Sequence, residues 1–446
     1  MDEYRRIADR VAERIADGRL RPGDRLPPQR VFARRQRIAN STAIRVYGEL
    51  ARRGLVVGEV GRGTFVRAAL PPAGAAVALA EATGHAPVDL QLNYPVTPGQ
   101  SELMARALVS LARADVLGGA TNGPAAAAGT PGARAAAVRV LARPGWEPDP
   151  ERVLFAGNGR QAIAAALAAL VPPGGVLGVE ELTYPLVRTV AERLGVRLVP
   201  IALDGEGMRP DALAAAVRAG SLSAVYVQPT LHNPLSVTAG PERRAELAGV
   251  LRESGLTAIE DTTWAFLLPD APAPLAAHAP ERVVLVDSLS KRLAPGLTVG
   301  HLVAPAGLVE ELARALRSGA WTAGGLALAA ATRWAADGTV AEVAEAKRAD
   351  AAARHALVRR HLGGYEIRTS PHAYYCWWEL PAPWRAEAFV AAAAERGIAL
   401  TPGADFAAAG RGAAGAVRVG LASPPLPVLD DALRRLAGLA FSILDI

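Results

Sequence analysis

At the start of the chain apolar residues recur at helical spacing. Ile7, Val11 and Ile15 mark one amphipathic helix that stops at Gly18. Leu26-Pro-Pro-Gln opens a second helix, running to about Arg35. Asn40-Ser41-Thr42 supplies N-cap chemistry for a third, Thr42 to Arg53, which ends at Gly54. Two short β runs follow, Leu55–Val60 and Thr64–Val66. Gly61-Arg62-Gly63 joins them, with glycines where a tight turn needs positive φ. Three helices and a glycine-tipped hairpin predict a winged helix-turn-helix over residues 1–67.

Residues 68–87 are rich in Pro, Gly and Ala, carry no period and read as a linker. From Val88 onward short apolar runs alternate with helical ones, the pattern of an α/β unit with a mostly parallel sheet. The predicted strands are Arg152–Ala156, Val176–Val179, Leu198–Ile201, Ala224–Gln228, Ala258–Glu260, Val283–Val286 and His301–Ala304. Alanine-rich helices such as Gln161–Leu170 and Glu242–Glu253 lie between them. A long helical stretch, Val340–His361, then leads into short strands at Tyr374–Glu379 and Ala416–Leu421, with a helix near Ala386–Arg396 between. That predicts a smaller C-terminal α/β subdomain within the unit 88–446.

Composition refines this picture. At 446 residues with 51% hydrophobic and 21% charged positions, the chain has enough apolar material for more than one core, and disorder is excluded. The net charge of +6 is unevenly spread: residues 1–68 hold 16 arginines against 8 acidic residues, so the remainder is slightly acidic. A single cysteine, Cys376, rules out an intramolecular disulfide and a cysteine zinc site, and no metal site is expected. The N-terminus lacks an apolar signal core, and apolar stretches such as Ala162–Val171 are too short to span a membrane, so the expected compartment is the cytoplasm. Only two of the 49 basic residues are lysines, Lys291 and Lys347.

In the N-terminal unit charge and topology coincide. Asn40, Ser41, Thr42 and Arg45 sit at the start of the third helix, the end that enters the major groove in helix-turn-helix readers. Arg30, Arg34, Arg35 and Arg37 precede it, placed for phosphates, and Arg62 with Gly63 forms the wing tip. The run Gly18-Arg-Leu-Arg-Pro-Gly-Asp-Arg-Leu-Pro-Pro-Gln-Arg30 resembles the opening motif of GntR winged-helix regulators. Tyr47-Gly-Glu-Leu50 and Gly61-Arg-Gly-Thr-Phe-Val66 resemble that family's recognition helix and wing. Ala39-Asn40 departs from the family's usual Ser-Arg.

In the large unit a primary amine is the chemically distinctive group, because arginine cannot condense with an aldehyde. Lys291 lies in Val286-Asp-Ser-Leu-Ser-Lys-Arg-Leu-Ala-Pro-Gly, just past a predicted strand, where open α/β sheets place ligands. Lys347, amid Glu342, Glu345 and Arg348, reads as a surface residue of a charged helix. Asp261 ends a strand where a carboxylate can pair with a protonated pyridine nitrogen. Asn233 is placed to bond a ring oxygen, and Gly157-Asn-Gly-Arg160 joins a strand to a helix as an anion site.

Together these residues resemble the fold-type I pyridoxal-phosphate aminotransferases from about residue 88 to 446. The resemblance implies pyridoxal 5'-phosphate bound to Lys291, with Asp261 on the pyridine nitrogen and Asn233 on the ring oxygen. It further implies Tyr184 stacked on the ring, and Asn158, Gly159 and Arg160 around the phosphate with Ser288 and Ser290 nearby. Arg418, in Val417-Arg-Val-Gly-Leu, takes the position of the family's substrate-carboxylate arginine, here an effector-binding group. Three positions depart from the family: Thr298 replaces a phosphate-binding arginine, Trp264 a tyrosine, and Pro124 lies where a tyrosine reaches the partner's phosphate.

A GntR-type winged helix joined to an aminotransferase-like unit resembles the MocR subgroup of transcriptional regulators. The resemblance implies a homodimer that binds double-stranded operator DNA with repeated or palindromic half-sites and senses an amine or amino acid. Two alternatives stand beside it: an active aminotransferase with a DNA-binding appendage, and a regulator whose large unit no longer binds the cofactor.

Overall fold

The computed structural model describes residues 3–16, 19–20, 24–52, 55–59, 63–66, 87–123, 126–220, 222–409 and 413–441. Arg62, Pro124 and all of the linker up to residue 86 therefore lie outside the described residues. The first unit is built from helices Glu3–Ala16, Gln29–Gln36 and Asn40–Arg52. Their apolar stripes meet in one core of Ile7, Val11, Phe32, Val46 and Leu50. Phe32 and Tyr47 pack edge to face at 5.2 Å, and the Tyr47 hydroxyl donates to the Pro27 carbonyl. The wing pairs Val56–Glu59 with Gly63–Val66, and Arg25–Leu26 adds a third strand along its other edge. The third helix begins earlier than its capping residues suggest. The Ala43 amide already bonds the Ala39 carbonyl, so Asn40, Ser41 and Thr42 form the first turn instead of a cap.

All seven strands predicted for the large unit enter one sheet. Its spatial order is Val153–Ala156, Gly300–Val303, Val283–Ser288, Thr257–Asp261, Ala224–Val227, Val176–Glu180 and Arg197–Ile201. Only Gly300–Val303 runs antiparallel to its neighbours. The central strands are buried on both faces, which is why they read as continuous apolar runs. Helices fill both sides, giving one core around Leu251, Leu285 and Trp334 and another around Ile163, Leu167 and Leu312.

The smaller subdomain is a four-stranded antiparallel sheet in the order Glu366–Arg368, Tyr375–Glu379, Ala416–Gly420 and Thr401–Pro402. Helices Thr339–Leu362, Ala386–Glu395 and Leu426–Phe441 cover it. A short strand, Val88–Asp89, pairs in parallel with Ile398–Ala399. The chain thus enters through the small subdomain before crossing toward the large sheet, and residues 90–95 lie between the two. Among the described residues no helix is long and apolar enough to cross a membrane.

Candidate functional site

The strands Val153–Ala156, Ala224–Val227, Thr257–Asp261 and Val283–Ser288 end on the same side of the sheet, where peptide groups are free and loops converge. Lys291 projects from a single helical turn, Leu289–Arg292, that follows its strand directly. Ser288 caps that turn, its hydroxyl accepting from the Ser290 amide at 3.0 Å. The Lys291 amine donates to the Asn93 carbonyl at 2.7 Å. It also lies 3.5 Å from the centre of the Tyr94 ring and 5.3 Å from that of Trp264. Burial, followed by the cations Arg160, Arg418 and Lys347, holds this amine well below the usual lysine value. A lysine so placed gives up its proton more readily than a free one.

Asp261 ends its strand with both carboxylate oxygens engaged. Oδ2 accepts from the Tyr226 hydroxyl at 2.6 Å and from Gln228 Nε2 at 3.5 Å, and Oδ1 accepts from the Thr263 amide at 2.9 Å. Burial raises its pKa, and the Tyr226 and Thr263 hydrogen bonds oppose that rise. Asn233 is buried, and its Oδ1 has no hydrogen-bond partner in the structure. The same holds for Gln228 Oε1, Asn93 Nδ2 and Arg418 Nε. Unpartnered buried polar atoms are costly. Asn93 Nδ2 and Arg418 Nε are donors that the oxygens of a polar ligand would satisfy, whereas Asn233 Oδ1 and Gln228 Oε1 are acceptors that call for an N–H or O–H.

Asn158 caps the helix Gly159–Leu170, its Oδ1 accepting from the Gln161 amide at 3.0 Å. The amides of Gly159 and Arg160 precede any intrahelical carbonyl and are left to face an anion. Across from them the hydroxyls of Ser288, Ser290 and Thr298 form a group, with Ser290 Oγ at 2.8 Å from Ser288 and 3.0 Å from Thr298. The approach is close. A Cβ on Gly159 would lie 2.9 Å from the Ser288 Cβ, and one on Gly300 would lie 2.4 Å from the Asn158 carbonyl. Threonine at 298 therefore supplies a hydroxyl to a cup made of amides and hydroxyls, where a longer cation was expected. Arg160 turns the other way, donating from Nη2 to the Tyr94 hydroxyl at 2.7 Å. Tyr184 starts the helix Pro185–Arg193, and burial raises its pKa against the pull of Arg160.

Arg418 sits in the middle of the strand Ala416–Gly420, 8% exposed, with its guanidinium 5.4 Å from the Phe406 ring centre. It donates to the Gln91 carbonyl and to Thr401 Oγ1 but has no ion pair among the described residues. Burial lowers its pKa to about 10. A buried cation without a counter-ion favours an anionic ligand.

One expectation fails. Lys347 is a core residue with no exposed surface, and its amine donates to the carbonyls of Lys291, at 2.9 Å, and Leu293, at 2.5 Å. The helix Thr339–Leu362 keeps Glu342 and Glu345 exposed and turns Lys347 inward, a difference that local charge density does not reveal. Asn93 and Tyr94 were not expected at the site either. They stand 198 and 197 positions from Lys291 in the chain, and no local motif marks them.

On the N-terminal unit Arg30, Arg34, Arg35, Arg37, Asn40, Ser41 and Arg45 are exposed, and Thr42 is half-buried. Arg45 lies over the Tyr4 ring at 5.0 Å, and Ile44, apolar yet 50% exposed, shares the face of Asn40 and Ser41. Gly63 adopts φ 118°, the conformation that the wing required of a glycine.

Two family models match the chain. Residues 89–436 match aminotransferase class I and II, and residues 3–66 match the gntR family of bacterial regulatory proteins. Among curated relatives, the helix-turn-helix-type transcriptional regulator YdeF of Bacillus subtilis is 29% identical over 94% of this chain and 90% of its own length. The vitamin B6 salvage pathway transcriptional repressor PtsJ of Salmonella typhimurium is 27% identical over 70% of each chain. Among solved structures, the α-aminoadipate aminotransferase LysN of Thermus thermophilus, complexed with N-(5'-phosphopyridoxyl)-L-leucine, superposes with a TM-score of 0.72. It is 22% identical and covers 80% of this chain and 93% of its own.

Proposed function

The chain belongs to the class I and II aminotransferase family, and from that membership and the gntR-type unit ahead of it we propose a DNA-binding transcriptional regulator that holds pyridoxal phosphate on Lys291 and senses an amine or amino acid. The observation that carries this reading is the buried amine of Lys291, bonded to the Asn93 carbonyl and lying against the rings of Tyr94 and Trp264 on the turn that follows its strand. Pyridoxal phosphate supplies an aldehyde that condenses with primary amines and a pyridine ring that withdraws electrons.

The residues fit that group. Lys291 offers the amine, Asp261 an oriented carboxylate for a pyridine nitrogen, and Asn233 a free amide for a ring oxygen. Tyr184 offers an aromatic face. The amides of Gly159 and Arg160, with Asn158 shaping their turn and Ser288, Ser290 and Thr298 opposite, suit a phosphate. Arg418 binds the carboxylate of an amino-acid effector, whose amine then reaches Lys291. The winged helix occupies residues 1–67, a linker 68–87 and the effector unit 88–446.

Regulation requires the effector to bind two states of the protein with different affinity, and the wings to present DNA differently in each. Val109, Leu117 and Leu326 are apolar and exposed on neighbouring helices of the large unit, a surface suited to a second copy of the chain. A two-fold dimer calls for a repeated or palindromic operator, read by Asn40, Ser41, Thr42 and Arg45 and gripped by Arg30 on the second helix and by Arg62 and Gly63 at the wing. That work takes place in the cytoplasm.

A second reading, an active aminotransferase, is favoured by one observation: Lys291, Asp261 and Asn233 are all present, each ending or following a strand of the parallel part of the sheet. Adding amino acids with and without a keto acid to the cofactor-loaded protein on labelled operator DNA separates the two. A change in DNA binding without keto-acid consumption is expected, and turnover at enzyme-like rates would replace the sensor reading.

A further inference from the structure

The chain has two lysines, and both are in the same place. Lys347 reaches from the long helix Thr339–Leu362 to the turn that carries Lys291. Buried lysines are rare because burial costs an ammonium its hydration. This one is held by two carbonyls, those of Lys291 and Leu293, and the second is shared with Gln100 Nε2 at 3.1 Å.

The same helix also reaches the effector side of the pocket. The Tyr374 hydroxyl lies 2.7 Å from the Lys347 carbonyl and 2.9 Å from Asp350 Oδ2. Asp350 accepts from Arg354 Nε at 2.7 Å, and Arg354 Nη1 donates to the carbonyls of Leu421 and Pro424. Leu421 directly follows the strand that carries Arg418. One helix is therefore bonded to the backbone beneath the amine and to the backbone beside the carboxylate-binding arginine.

We propose that Lys347 is a positioning residue for Lys291: its two hydrogen bonds fix the turn from which the Schiff-base lysine projects and tie that turn to the helix linking it with the small subdomain. The inference rests on the reading of Lys291 as the cofactor lysine. A neutral amine carries enough hydrogens for both carbonyls, so the tie survives deprotonation, while an ammonium adds a positive charge close to Lys291. Burial lowers the pKa of Lys347 to about 7, with Asp350 opposing, so its charge changes near neutrality. The charges facing Lys291 itself are Arg160, Arg418 and Lys347, and those facing Lys347 are Asp350 and Lys291. Loss of Lys347 should therefore ease protonation at Lys291 as well as loosen its turn.

The test uses full-length protein loaded with pyridoxal phosphate. In Lys347→Met the pH midpoint of the visible band is expected to move upward by about one unit, and Lys347→Arg, which keeps charge and donors, should recover at least half of that shift. In parallel, wild-type protein labelled with ε-13C-lysine carries just two lysine signals. Loading Lys291 with the cofactor should displace the Lys347 signal, and this second measurement decides the matter if Lys347→Met does not fold. An unmoved midpoint in folded, loaded Lys347→Met overturns the proposal, as does a Lys347 signal indifferent to loading. A wild type that takes up no pyridoxal phosphate fails differently: it removes the cofactor reading, and this inference with it.

Discussion

Arg418 and Lys347 illustrate what single residues contribute. Among the described residues Arg418 is a buried cation with neutral hydrogen-bond acceptors and the Phe406 ring beside it and no counter-ion, so its truncation should strike ligand binding. Arg418→Ala is expected to weaken binding of carboxylate-bearing amines by about 2 kcal/mol, roughly thirtyfold, with the matching decarboxylated amines nearly unaffected. Titration of the visible band with each pair checks this. Lys347 has a pH signature in stability. Its folded-state pKa of about 7 lies below the value of 10.5 for a free lysine, so between these values the unfolded chain binds more protons. Its contribution is therefore full above pH 10.5 and is lost as pH falls to about 7, at up to about 1.4 kcal/mol per unit. In urea unfolding of cofactor-free protein, the stability difference between wild type and Lys347→Met should grow with pH from 7.5 to 9.5, and a flat difference would contradict the burial argument.

At the scale of elements, the loop after Val153–Ala156 and the strand Gly300–Val303 must touch backbone to backbone to form the cup of amides and hydroxyls proposed for the phosphate. Gly300→Ala drives a methyl to 2.4 Å from the Asn158 carbonyl, which neither strand can avoid without moving the loop. Cofactor affinity should fall by about 2 kcal/mol from that overpacking, measured by equilibrium dialysis, with the secondary structure intact by circular dichroism. On the second helix and the recognition helix respectively, Arg30→Ala with Arg45→Ala should weaken operator binding and lower the salt-dependence slope by about one to two, read from fluorescence anisotropy across a salt series.

The elements themselves were legible in the chain. Strands buried on both faces announce themselves as apolar runs bounded by turn residues, and Lys291, Asp261 and Asn233 fall at strand ends that any parallel α/β order brings together. Other features were not legible. Lys347 shares a helix with Glu345 and Arg348, and only the direction in which one side chain points separates core from surface. Tyr94 meets Arg160 because Val88–Asp89 pairs with Ile398–Ala399 and swings residues 90–95 over the pocket, a long-range pairing of two residues a side that leaves no periodic trace.

For the whole molecule, the proposed regulator would couple a small-molecule pocket to a pair of DNA-binding wings through a dimer. Exposed Val109, Leu117 and Leu326 should lie in its interface, so Val109→Asp with Leu326→Asp is expected to give a folded monomer by analytical ultracentrifugation and to cost more than tenfold in affinity for a two-half-site operator. All of this depends on one covalent attachment. The most direct test is to reduce the pyridoxal-phosphate-treated protein with borohydride and map the modified peptide by mass spectrometry. The account predicts one phosphopyridoxyl group on Lys291 and a colourless, unmodified Lys291→Ala. A wild type that stays colourless and unmodified, or a label on Lys347 in place of Lys291, would contradict it.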